Sequence, residues 1–206
     1  MAFRGWPVEA LEFYDGLQAD NTKTYWQANK STYEDKVRGP MVALLTELEP
    51  RWGAGKIFRP YRDVRFSADK TPYKTAIGAL LAEGGYVQLS ADGLATGCGV
   101  WHMESDDLKR YRGAVADDVS GADLVAVADA LRGQGIGVIS RESLKTVPRG
   151  YDRDHPRADL LRNKGLAAWK QWPVGSWLGT AKARARVEEF LTAAEPLRDW
   201  LRKHVG

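Results

Sequence analysis

One cysteine in 206 residues, Cys98, excludes an intrachain disulfide and a thiolate metal cluster and fits a reducing compartment. Long apolar runs are missing too. None approaches the roughly 18 residues that a membrane helix needs, so no membrane partner is expected. The opening residues, Met-Ala-Phe-Arg-Gly-Trp-Pro, lack the apolar core of a secretory signal, which makes a cytoplasmic location the expectation. Histidine is scarce: His102, His155 and His204 are too scattered for zinc-ligand spacing. Asp152 and Asp154 flank an arginine, a pattern of ion pairing and not of a metal grip, so neither metal nor cofactor is expected. The net charge of +3 is too mild to imply nucleic-acid binding by itself.

What is present is unevenly placed. Residues 59–74 carry five cations against two carboxylates, and residues 145–164 carry six cations against three, so each strip is +3 and the remaining chain is −3. In the first strip arginine forks, which suit flat oxyanions, are interleaved with Tyr61, Phe66 and Tyr73. The candidate ligand-binding residues there are Arg59, Arg62, Asp63, Arg65, Lys70, Tyr73 and Lys74. With Ile57 to Phe66 extended, Asp63 stands between two arginines and is expected to orient both by bidentate pairing. The alternative is a structural Arg–Asp network, which perturbs charges equally well. From the second strip Lys145, Arg149, Tyr151 and His155 are candidates, with His155 the one titrating group near pH 7 and the candidate general acid. Its alternative role is capping beside Pro156. Arg112, next to the apolar stripe of its helix, either joins the site or lays its stem on the core edge. The two strips are expected to converge on one cleft.

The periodicity is helical over the first fifty residues, with Pro7 at a helix start and Asp20-Asn21 as a break. Trp26, Tyr33 and Val37 belong to a second helix. Gly39-Pro40 punctuates before the stripe Met41, Leu44, Leu45, Leu48. The middle turns to strands at 57–66, 75–82, 86–90 and 96–103, with a turn at 91–93. Helices follow from Ser105 and around Leu124 to Leu131, the latter closed by Gly133, Gly135 and Gly137 as a cap and turn. A short helix at Leu160-Leu161, a further strand within 166–177, a helix through Val187 to Ala194 and a turn begun by Pro196 complete the pattern. Blocks in this order predict a single α+β domain spanning 1–206, its central sheet largely antiparallel with helices outside. Cys98, in Gly-Cys-Gly on a strand, is expected to be a small buried residue. The tryptophans are expected to pack the core, with Trp169, Trp172 and Trp177 close enough in sequence to wall a base-stacking pocket.

Three groups of residues resemble one family. Phe3, Gly5, Pro7, Phe13, Leu17, Asn21, Trp26, Asn29 and Tyr33 resemble its N-terminal signature. Arg59, Arg62-Asp63, Arg65-Phe66-Ser67 and Asp69 to Thr75 resemble its most distinctive motif, and Leu144-Lys145, Pro148 to Tyr151 and His155-Pro156 its C-terminal one. The chain is similar over nearly its whole length to the bacterial and fungal family of domain of unknown function 2461. Two departures, Asp20 in place of a second Asn and Tyr25-Trp26 in place of Trp-Phe, read as packing changes. The resemblance implies no particular reaction. The leading functional expectation is a small anionic ligand, phosphorylated or carboxylated, held by the two strips, with hydrolase or transferase chemistry as its extension. The alternatives are a nucleic-acid or acidic-protein binding module using the same cations, and a structural charge network with function elsewhere.

Overall fold

The computed structural model describes residues 2–65 and 67–206. Phe66 lies outside the described residues. The fold is α+β, and its antiparallel sheet has the strand order β1-β2-β3-β4-β6-β5: β1 Gly55–Ile57, β2 Ala76–Leu81, β3 Gly85–Ser90, β4 Gly93–Val100, β5 Gly137–Ile139 and β6 Leu166–Trp172. No helix among the described residues is long and apolar enough to cross a membrane. The chain divides into two compact units, residues 1–96 with 171–189 and residues 97–170 with 190–206.

In the first unit Pro7 precedes α1 (Val8–Ala19), where its missing N–H costs no helical bond, and Ala10, Phe13, Tyr14 and Leu17 are buried. Asp20 ends that helix, and Thr22 caps α2 (Lys23–Ala28) by accepting from Tyr25 N–H. The expected second helix is real but broken. After Asn29 the chain takes one short turn, α3 (Lys30–Thr32), then a π-helix at Tyr33–Arg38 that runs straight into α4 (Gly39–Trp52). Gly39-Pro40 therefore continues a helix where punctuation was expected, because proline is tolerated in a first turn. Met41, Leu44, Leu45 and Leu48 of α4 are buried, and the helix packs against β1 and β2. Trp6, 1% exposed, ties the N-terminal segment down: its N–H donates to Leu178 O at 2.9 Å and its Nε1 to Val37 O at 3.2 Å.

In the second unit α5 (Ser105–Ala116) and α6 (Asp118–Gly133) pack together, joined by Asp117, which accepts from the N–H groups of Val119 and Ser120. Gly133 to Gly137 makes the expected cap and turn, with Gly135 at φ 68°, and then a strand not foreseen, β5, which pairs β6 through Val138 and Ala168. The short helix α7 spans Ala158–Leu161. Helix α8 (Lys182–His204), of which residues 190–204 belong to this unit, continues through Pro196, the residue expected to start a turn presenting Leu197, Trp200 and Leu201. Proline costs the helix one hydrogen bond there. Buried Leu197, Trp200 and Leu201 offset it, Trp200 Nε1 also donating to Ser120 O at 2.9 Å.

Candidate functional site

The Arg59 to Lys74 segment is the connection between β1 and β2, and most of it is not a strand. The regular ladder stops after Ile57, which opposes Ala79. Beyond it the two arms stay together by scattered rungs: Phe58 N–H to Gly78 O at 2.9 Å, Lys74 N–H to Pro60 O at 2.8 Å, and Arg62 N–H to Pro72 O at 2.9 Å. A single bridge joins Tyr61 and Tyr73. Pro60 and Pro72 have no N–H to give, so a continuous ladder cannot form between these arms. The expected strand over 57–66 is thus corrected to the three residues of β1 and an irregular arm.

The tip is closed by its own side chains. Asp69 Oδ1 accepts from Thr71 N–H at 2.9 Å and from Thr71 Oγ1 at 2.8 Å, the local turn that aspartate favours. Lys70 Nζ donates to Val64 O at 3.0 Å. Asp63 takes Arg65 in a bidentate grip at 2.9 and 2.7 Å, while Arg62 Nη1 goes to Asp69 and to Thr71 Oγ1. The expectation that Asp63 orients both neighbouring arginines is corrected accordingly. Leaving the ladder frees the two side chains from strand alternation. The Asp69 carboxyl is held at about 2 by the Thr71 backbone N–H first and the Arg62 guanidinium next.

Behind the tip the segment is pinned to the helices. Asn21 bonds both backbone groups of Tyr73, and the Tyr73 ring stacks on Trp26 with centroids 4.5 Å apart and planes 7° from parallel. Trp26 in turn meets Tyr33 at 4.8 Å, and Tyr61 leans on Tyr73 at 5.4 Å. Tyr73 is therefore a buried anchor of the segment, and burial raises its hydroxyl pKa.

This anchoring leaves a cleft of about 420 Å³. Arg62, Lys74, Thr75 and Gln88 supply its polar groups, Phe58, Tyr73 and Tyr86 its rings, and Ala76 and Gly78 are its smallest residues. Gly78 has a steric reason to be glycine: a Cβ there would stand 2.6 Å from Tyr86 Oη, so the tyrosine end crosses the strand only because nothing projects from it. Tyr86 Oη donates to Gln88 Oε1 at 2.7 Å. Lys74 Nζ donates to Arg59 O at 2.9 Å and sits 5.4 Å from the Phe58 ring centroid. Burial, and then the charge of Arg59, lower its pKa. Among the described residues Arg62 Nε and Nη2 donate to no protein atom, and none of the lining residues is acidic. Two cations therefore line one cleft with donors to spare.

The lining residues all belong to the first unit, and of the sequence candidates they include Arg62, Tyr73 and Lys74. Arg59 is exposed and contributes its carbonyl, whereas Asp63, Arg65 and Lys70 belong to the exposed tip. Sequence reasoning passed over Phe58, Thr75, Gly78, Tyr86 and Gln88. The signal for two of them was present, since half-buried Tyr86 and Gln88 alternate with buried Val87 and Leu89.

The other candidates belong to the second unit. Arg112 Nε donates to Leu161 O at 3.2 Å, which places it on the core edge of its own unit. His155 Nδ1 accepts from Arg157 N–H at 3.0 Å, a bond within the turn that precedes α7, so the ring has a local structural role. The Arg157 guanidinium closes the end of α5, donating to Val115 O at 2.6 Å and Ala116 O at 3.0 Å. Arg162 pairs with Asp159 and Lys164 with Glu142, while Lys145, Arg149 and Tyr151 are in the loop before α7, the first two exposed. Cys98 is buried, and burial pushes its thiol up to about 11, far from a reactive thiolate. Among the described residues no three of His, Cys, Asp and Glu gather closely enough to hold a metal ion.

An α+β chain with a cationic cleft beside its β1–β2 connection is the class that fold and geometry define. The chain belongs to the family described as conserved hypothetical protein (DUF2461), which it matches over residues 9–200. No curated protein and no solved structure matches it significantly.

Proposed function

We propose that this protein binds a small anion, phosphorylated or carboxylated, in the cleft between Arg62 and Lys74. The observation that carries this reading is the pairing of two cations in one non-acidic cleft, each with donors that no described residue takes up. Arg62 keeps its ion pair to Asp69, yet its Nε and Nη2 donate to no described residue, and Lys74 has no acidic partner among the described residues, so an oxyanion would gain charge-assisted hydrogen bonds from both. The volume, about 420 Å³, falls in the range of small-molecule sites, roughly 300 to 1,000 Å³. The described lining residues supply charge and hydrogen bonds through Arg62, Lys74, Thr75 and Gln88, which supports a reading of binding. A phosphorylated ligand and a single buried cysteine fit a cytoplasmic setting.

Thermal melting with phosphate, sulfate and small carboxylates tests it. An anion at about 100 times its dissociation constant raises the melting midpoint of a chain this size by several degrees. The Arg62→Ala, Lys74→Ala double variant is expected to melt near the wild-type midpoint and to show no anion shift. A wild type that none of these anions stabilises overturns the reading.

A further inference from the structure

Three chemically distinct sectors meet in this one cleft. Arg62 and Lys74 form the first, the Phe58 and Tyr86 rings, with centroids 6.4 Å apart, the second, and the Gln88 amide the third. An inorganic anion engages only the first and leaves most of about 420 Å³ unfilled. Lys74 makes the first two contiguous, since its ammonium sits over the Phe58 ring. Phe58 is 36% exposed, so part of its ring is open to a ligand in the cleft. Gln88 is half-buried, and its bond from Tyr86 Oη fixes the amide so that Nε2 remains a donor beside an oxygen with a second lone pair. A donor and an acceptor side by side on an amide is the pattern that reads a base edge, adenine N6 and N7 above all.

Resting on the anion-binding reading, we infer that the occupant is a nucleoside monophosphate, its phosphate on Arg62 and Lys74, its base against Phe58 and its base edge on Gln88. The cleft volume, about 420 Å³, lies in the small-molecule range. Polymer binding would need a groove that continues past a single nucleotide, since single-strand sites commonly span about 4 to 16 of them.

Calorimetric titration of the full chain with orthophosphate, ribose 5-phosphate, the four common nucleoside monophosphates and a ten-residue oligonucleotide separates the outcomes. AMP is expected to bind at least about tenfold more tightly than ribose 5-phosphate, the effect of one stacked and bonded base. Gln88→Ala and Phe58→Ala are each expected to weaken AMP about tenfold and ribose 5-phosphate much less. Equal affinity for ribose 5-phosphate and every monophosphate overturns the nucleoside inference and leaves the anion reading standing. An oligonucleotide that binds tenfold more tightly than any monophosphate, with a steep salt dependence, overturns it in favour of a nucleic-acid surface. Absence of binding by every phosphate compound overturns the nucleoside inference, and together with no carboxylate shift in the melting series it overturns the anion reading as well. The wild-type ligand series decides the matter even where one variant fails to fold.

Discussion

Asn21 satisfies both backbone groups of Tyr73, its Nδ2 donating to Tyr73 O at 3.0 Å and its Oδ1 accepting from Tyr73 N–H at 3.0 Å. One side chain between α1 and α2 thus substitutes for a neighbouring strand, at a residue 5% exposed. Asn21→Ala strands a buried donor and a buried acceptor, and the expected loss is about 2 to 4 kcal/mol in urea unfolding. Asn21→Asp keeps the acceptor and loses the donor, so its expected cost is smaller than that of alanine. Equal stability of Asn21→Ala and wild type would contradict the anchoring role.

The Asp69 carboxyl titrates at about 2, below its ordinary 3.8. A depressed folded-state pKa contributes stability above the unfolded value, and that contribution is lost as pH falls from about 3.8 through about 2. Carboxyl NMR titration is expected to place the midpoint near the lower figure. Because the Thr71 backbone N–H outweighs Arg62 among the causes, Arg62→Ala should raise the midpoint only part of the way to the ordinary value. A return all the way would mean that the ion pair, and not the turn, holds Asp69.

Lys74 is shifted in the same direction, but there the shift favours the neutral form. Its pKa is lowered from 10.5 by burial and by Arg59, so it loses its charge at lower pH than a free lysine. Anion affinity is expected to fall on the alkaline side with a midpoint below 10.5, and Lys74→Arg should abolish that fall. An alkaline limb that persists in Lys74→Arg would assign the titration to another group.

Gly78→Ala places a Cβ 2.6 Å from Tyr86 Oη, the movable end of a side chain, so the fold is expected to survive while Tyr86 is displaced. The bond from Tyr86 to Gln88 goes with it. The expected result is a melting midpoint within a few degrees of wild type and weaker AMP binding, with ribose 5-phosphate affected less. An unchanged affinity for AMP would show that Tyr86 has no part in the cleft.

The fold was legible in the sequence wherever one period dominates. Met41, Leu44, Leu45 and Leu48 repeat at helical spacing and are buried on α4, and Val87 and Leu89 alternate on β3. Misreadings fell where a proline has two meanings. Pro40 and Pro196 sit within helical runs where punctuation was expected, Pro40 because a first turn tolerates proline and Pro196 because buried neighbours outweigh one lost bond. Pro60 and Pro72 do break a ladder, and the strand expected there is an irregular arm. Arg62 and Lys74 stood out through charge among aromatics. Gln88 and Gly78 did not, since a glutamine and a glycine become part of a cleft only when register sets them opposite each other across β2 and β3.

The most direct measurement of the central claim is a crystal of this chain soaked in tungstate, a phosphate-like oxyanion with a strong anomalous signal. The predicted result is an ordered anomalous peak within hydrogen-bond reach, about 3 Å, of the Arg62 guanidinium and Lys74 Nζ, absent in the Arg62→Ala, Lys74→Ala variant. Tungstate ordered elsewhere on wild type, with this cleft empty of it, would contradict the account.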